Sequence, residues 1–224
     1  PNVAILAGDT MFALANKYML RTRQQAISQV MELFNQTAIE VCEGQQYDMD
    51  YEHQANVSIA DYIEMIRLKT AVLLAASLKT GAIIAGAEAS DCDYIYQFGI
   101  HIGLAFQLKD DLLDVYGVQE KFGKVSGGDI IAGKKTYLYL KALETAGSEA
   151  DTFRSLYAAQ DMESSEKIAR VKEVFNRMNI ETHTRQLINY YYQKALRDLS
   201  AISLPEEAME SLTEYAAWLM EREN

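Results

Sequence analysis

Apolar residues recur three and four positions apart along most of the chain, and no stretch alternates cleanly enough to make a half-buried strand. That pattern predicts helices near 3–20, 23–43, 57–80, 91–116, 134–146, 149–159, 164–179, 181–200 and 206–222. The breaks follow from chemistry. EGQQYDMDYEHQANVS (43–58) is polar and is expected to connect two helices, and YGVQEKFGKVSGGDIIAGKK (116–135) carries Gly, Lys and Asp without periodicity and is expected to be a loop. In SLPEE, Pro205 suits the first position of a last helix, with Ser203 as a candidate cap. No repeat, low-complexity tract or linker divides the chain, so the expected fold class is all-α, a single-domain helical bundle.

Composition narrows the partners. The 224 residues are 49% hydrophobic, enough for a sizeable core, and 32 acidic against 21 basic residues give a net charge of −11. Such a surface repels nucleic acid and anionic lipid, so any local cluster of lysines stands out as an anion site. Cys42 and Cys92 are too few for a disulfide framework or a zinc ribbon, which suggests a reducing compartment. The most apolar stretch, AVLLAASLKTGAIIAGAEA (71–89), contains Lys79 and many small residues, and suits a closely packed core helix better than a membrane span. With no signal peptide apparent, the expectation is a soluble cytoplasmic protein without stable membrane insertion.

The candidate chemistry sits in FQLKDDLLDVYG (106–117). On a helix, residues three and four apart share a face, so Asp110, Asp111 and Asp114 form one acidic patch, with Gln107 beside it. Oxygen ligands with no Cys or His nearby favour Mg²⁺, which is usually held by one or two carboxylates and completed by water and substrate phosphate. A solvated acidic face is the alternative, and the spacing alone does not decide. Lysines add to the picture: Lys69 and Thr70 lie just before a strongly apolar run, and Lys124, Lys134 and Lys135 follow the acidic helix. A phosphate bridged by Mg²⁺ to the carboxylates, with lysines on its other oxygens, reconciles both charge types in an acidic protein.

Five stretches together resemble one family, the trans-type isoprenyl diphosphate synthases: LAGD (6–9), EGQQYDMDYE (43–52), YIEMIRLKTAVLLAAS (62–77), GLAFQLKDDLLDVYG (103–117) and FGKVSGGDIIAGKKT (122–136). They occur in the family's order and at about its spacing, across roughly residues 1–137. The resemblance implies a bundle around a deep central cavity, normally a homodimer, that condenses isopentenyl diphosphate with an allylic diphosphate. It implies that Asp110 and Asp114 ligate Mg²⁺ (several ions per site, with Mn²⁺ as a substitute), with Asp111 in the same patch. Lys69, Lys124 and Lys134 would contact the allylic diphosphate, and Thr70 and Gln107 would sit by it and the reacting carbons. Gln45 and Asp48 would support the metal-binding side, and Phe106 would line the cavity wall. A short-chain product such as farnesyl or geranylgeranyl diphosphate is expected, ahead of a longer-chain synthase, a terpene cyclase or a non-catalytic regulatory subunit. The family has two aspartate-rich motifs and this sequence shows one, so residues 1–224 are expected to be the synthase domain without its N-terminal helices. His53, His101 and His183 match no ligand spacing, with His101 a core or cavity residue; the YYY run at 190–192 suits helix packing, and Arg222 a solvated end.

Overall fold

The computed structural model describes residues 2–117 and 127–221, and within them the protein is helical with no strand. Lys124 and Arg222 lie outside the described residues. The helices are α1 (Asn2–Met19), α2 (Ile27–His53), α3 (Ile59–Ile66), α4 (Val72–Ala85), α5 (Ala89–Tyr116), α6 (Gly128–Ala132), α7 (Tyr137–Thr145), α8 (Ala150–Ala158), α9 (Ser164–Arg177), α10 (Ile180–Ser200) and α11 (Glu206–Glu221). A π-helical turn, Arg67–Ala71, joins α3 to α4 without a break, and a 3₁₀ turn, Gly147–Glu149, leads into α8.

The polar segment at 43–58 is the main correction to the expected boundaries. It is not a connector: α2 runs on to His53, with Gln54 as its C-cap. From Gln45 onward that end of the helix is largely exposed and polar, and in the segment 43–53 only Gly44 disfavours a helix strongly. The expected loop at 116–135 likewise contains a short helix, α6, bounded by Gly127 and Gly133 in left-handed conformation. The last helix begins at Glu206, just after Pro205, and the Ser203 backbone N–H donates to the Asp91 carboxylate at 3.0 Å.

Helix α5 is the axis of the bundle, packed along α4 on one side and α10 on the other. Two apolar clusters meet on it. One joins Tyr62, Met65 and Ile66 of α3 with Leu104, Leu108, Leu112 and Val115 of α5 and with Leu138, Phe153, Val171, Phe175 and Ile180. The other joins Ile95, Phe98 and Ile102 of α5 with Ala195, Leu199, Ala216 and Leu219, and Phe106 packs against it. His101 Nδ1 lies 2.5 Å from Asp198 Oδ2, a half-buried pair that ties α5 to α10. The continuous helical run Ile59–Ala85 contains an 18-residue window of mean hydropathy 1.5, long and apolar enough for a membrane. Here it instead packs its Ile66, Leu68, Ala71, Val72 and Ala75 into protein, and its Lys79 pairs with Asp93 at 2.7 Å.

The π turn is pinched between two helices. A Cβ on Gly44 of α2 would lie 2.3 Å from the Lys69 backbone nitrogen, and one on Gly103 of α5 would lie 2.7 Å from Ala71 Cα. Both glycines therefore permit backbone-to-backbone approach on opposite sides of Arg67–Ala71. An extra residue in a helical turn is commonly found where function needs a side chain re-aimed, and this turn carries Lys69 and Thr70.

Helix α3 is started by a capping box: Ser58 Oγ accepts from the Asp61 N–H at 3.1 Å, and Asp61 Oδ2 accepts from the Ser58 N–H at 2.9 Å. The Ser58 hydroxyl, donating to Asp61 Oδ2 at 2.7 Å, and then the Ser58 N–H hold the Asp61 carboxyl below its ordinary value. Its contribution is therefore present above the unfolded-state pKa and is lost as pH falls through the lower folded one. Ser58→Ala should cost ~1 kcal/mol at neutral pH, and that deficit should shrink in acid, measured by urea unfolding across pH. Gly44→Ala gains helix propensity but forces the π turn to move, and a net loss of about 1–3 kcal/mol is expected from the same measurement.

Candidate active site

Of the sequence-predicted residues, Asp48, Lys69, Thr70, Gln107 and Asp111 meet where the C-terminal half of α2, the π turn and the C-terminal half of α5 come together. Lys69 Nζ reaches Asp48 Oδ2 across the α2–π turn contact at 2.6 Å. One residue on, Thr70 Oγ1 donates to Gln107 Oε1 at 3.0 Å, joining the π turn to α5. Gln107 Nε2 then donates to Asp111 Oδ1 at 3.0 Å, and the Tyr62 hydroxyl donates to Asp111 Oδ2. A continuous hydrogen-bonded chain therefore runs Thr70, Gln107, Asp111, Tyr62.

The three carboxylates of α5 are not equivalent. Asp110 is exposed, Asp114 is half-buried and Asp111 is buried, with 6% of its surface accessible. Burial is the largest cause pushing the Asp111 carboxyl up to about 7, with the Asp129 and Asp110 charges in the same direction; the hydrogen bonds from Tyr62 and Gln107 oppose it. Burial also raises the Tyr62 hydroxyl well above its ordinary value. Asp114 is raised by burial as well, against backbone N–H donors from Asp129 and Gly128; the Asp129 N–H reaches Asp114 Oδ2 at 3.0 Å.

That contact brings α6 onto the site and with it a carboxylate not singled out from the sequence. Asp129 Oδ1 pairs with Lys134 Nζ at 2.9 Å, and this hydrogen bond is the largest cause raising the Lys134 ammonium. Lys135, the neighbouring candidate for the anion site, is occupied differently: its ammonium donates to the Tyr51 and Glu52 carbonyls at the end of α2. There it satisfies carbonyls that the helix leaves without intrahelical donors. Gln45 is exposed on α2. Phe106 packs against the second apolar cluster.

Sequence reasoning also missed Tyr157. It is almost fully buried on α8, and its hydroxyl donates to the Lys134 carbonyl at 2.7 Å, with the Asp129 carbonyl at 3.4 Å. The Lys134 side of the site is thus held from below by a tyrosine 23 residues further along the chain. No sequence signal distinguishes it from an ordinary core aromatic.

The donor set suits a hard cation only in part. Among the described residues no three His, Cys, Asp or Glu side chains converge as a ready-made metal cage. An ion here would take one or two carboxylates and fill its remaining positions with water or phosphate oxygens, the usual habit of Mg²⁺. On those terms Asp110 and Asp114 are the α5 carboxylates that could hold Mg²⁺. A cleft of about 900 Å³ lined by Arg23, Glu32, Lys79, Cys92 and Asp93 lies at the other end of α4, away from these groups.

The chain as a whole is similar to known proteins. The pattern of the polyprenyl synthetase family matches residues 1–178. A short-chain isoprenyl diphosphate synthase of Methanothermobacter thermautotrophicus is 34% identical over 223 residues, taking in 99% of this chain and 68% of that protein. A crystal structure of a geranylgeranyl pyrophosphate synthase superposes with a TM-score of 0.94 at 40% identity, covering 100% of this chain and 69% of that one. Another, from Corynebacterium glutamicum and complexed with isoprenyl diphosphate and magnesium, gives 0.89 at 31%, covering 99% and 63%.

Tyr157→Phe keeps the ring and removes the donor to a buried carbonyl. It should cost ~1–2 kcal/mol and speed amide hydrogen exchange over 128–134 while leaving 100–112 protected, read by exchange mass spectrometry.

Proposed function

Because the chain belongs to the polyprenyl synthetase family, we propose that it condenses isopentenyl diphosphate head-to-tail with an allylic diphosphate to give a short-chain trans-prenyl diphosphate. The observation that carries this reading is the meeting of the Lys69–Thr70 turn with Gln107 and the acidic end of α5. An anion-binding pair, a polar contact for the reacting carbons and a set of carboxylates for a cation lie within two helical turns of one another on α5 and the helix beside it.

Lys69 and Lys134 are each held by a carboxylate, Asp48 and Asp129. An arriving diphosphate offers both lysines a more highly charged partner, so the two ion pairs exchange for contacts with its oxygens. Asp110 and Asp114 face the same diphosphate from α5 and would hold Mg²⁺, which supplies charge neutralisation as the allylic C–O bond breaks. Thr70 and Gln107 lie beside the carbon that becomes cationic and present oxygen dipoles toward it. The double bond of isopentenyl diphosphate attacks that carbon, forming the new C–C bond, and the proton lost from the adduct passes to the departing diphosphate. Apolar walls of a central cavity exclude water from the cation.

Lys124 is proposed, with Lys69 and Lys134, to contact the diphosphate, and Gln45 to support the α2 side. The first aspartate-rich motif is proposed to belong to sequence preceding Pro1. A homodimer in the cytoplasm completes the reading. The dimer part of that reading is supported by α1, on which no residue is buried and Val3, Leu6, Met11 and Phe12 are all more than half exposed.

Protein expressed from its complete reading frame, given Mg²⁺, isopentenyl diphosphate and dimethylallyl, geranyl or farnesyl diphosphate, should yield one elongated product resolved by chain length. Asp110→Ala and Asp114→Ala should each reduce kcat by at least about 100-fold. Folded protein that binds Mg²⁺–pyrophosphate yet elongates none of the primers would overturn the assignment.

A further inference from the structure

Gln107 carries an amide whose two ends differ chemically but not in shape, so something must decide which end meets Thr70. The arrangement around it gives the answer. Asp111 presents Oδ1 to the Gln107 Nε2, whose NH₂ can only donate, while its Oδ2 takes the Tyr62 hydroxyl. The amide oxygen is thereby turned to Thr70 and takes the hydroxyl proton, at 3.0 Å. With that proton directed inward, the Thr70 oxygen has its lone pairs for whatever lies on its open side. The orientation at the reacting end of the chain is therefore set at its other end.

That other end is Tyr62. It is 2% exposed, sits on α3 within the first apolar cluster, and donates its hydroxyl to the second Asp111 oxygen. Buried this deeply, its hydroxyl faces Asp111 and not the open side of the site. A tyrosine ring has few rotamers and its hydroxyl is a fixed donor once the ring is packed, so it pins a carboxylate more firmly than a flexible lysine would.

We propose that Tyr62 is a positioning residue: by anchoring Asp111 it fixes the Gln107 amide, and through it the direction of the Thr70 hydroxyl. Asp111 is then the internal acceptor of this chain, a different task from the one proposed for exposed Asp110. The inference rests on the synthase reading for its effect on turnover, but the geometry it describes can be tested without turnover.

Two experiments on protein from the complete reading frame separate the possibilities. In the first, Tyr62→Phe, which keeps the ring, is combined with Gln107→Ala in a double-mutant cycle on kcat. Tyr62→Phe should lower kcat ~10–100-fold in the native background and less than ~3-fold when Gln107 is already Ala, because both remove the same oriented amide. The Kd for Mg²⁺–pyrophosphate, by calorimetry, should stay within about 3-fold of native, since the altered group lies behind the diphosphate-binding side chains. Multiplicative losses, or a native kcat, would overturn the proposal.

In the second, the Gln107 side-chain amide is followed by nitrogen-15 NMR without substrate. Tyr62→Phe should shift its NH₂ signals and speed their exchange with solvent. Asp111→Asn, which replaces one of the two carboxyl oxygens with an amide NH₂, should disturb the orientation and shift them further. Unchanged signals in both variants would sink the inference even if the protein makes no product. Failure to elongate alone would count against the synthase reading.

Discussion

The site depends on how closely three backbones approach. Gly44 on α2 and Gly103 on α5 leave no side chain between those helices and the turn Arg67–Ala71, so its main chain is clamped on two sides. The clamp sets the height and rotation of Lys69 and Thr70 relative to Asp48 on one helix and Gln107 on the other. Side-chain hydrogen bonds of 2.6–3.0 Å tolerate little displacement, and the polar chain beyond them is only as well placed as this crossing. Alanine continues the same close packing one turn along, where Gly99 lies against Ala75.

Much of this could be read in the residues, but unevenly. The all-α class, the long α5 helix and the gathering of its carboxylates with Lys69 and Thr70 follow from apolar spacing and charge. The end of α2 did not, because a run such as GQQYDMDYE is polar whether it is a loop or an exposed helix face. Asp110 and Asp111 look interchangeable in sequence, yet adjacent helical positions point about 100° apart, and that rotation buries one and exposes the other. Tyr62 and Tyr157 were invisible for a different reason. Their hydrogen bonds close over 49 and 23 residues, and nothing in local spacing announces a contact that the folded bundle alone creates.

The electrostatics show a related economy of design in a chain of net charge −11. Lys69 and Lys134 are paired with Asp48 and Asp129, so neither carries an isolated charge into a half-buried place. Lys135 closes the end of α2, and Lys109 donates to the Met220 carbonyl near the end of α11. Adjacent lysines in the GKKT segment thus do unlike work, one facing carboxylate and the other helix carbonyls. Charge alone would not have separated them.

The π turn also bears on how this helix tolerates change in length. It holds one more residue than an α-helical turn would, so the side chains of α3 and α4 stand out of phase by roughly 100° relative to an uninterrupted helix. Removing one residue from 67–71 would restore ordinary helical register without opening a gap in the backbone. The shortened helix would still pair all its own amides, but α4 would be rotated against α3, and Thr70 and Tyr62 could no longer address Gln107 and Asp111 together. For this segment, a deletion that regularises the helix dismantles the site, and in related chains the five-residue turn should travel with the polar residues it aligns.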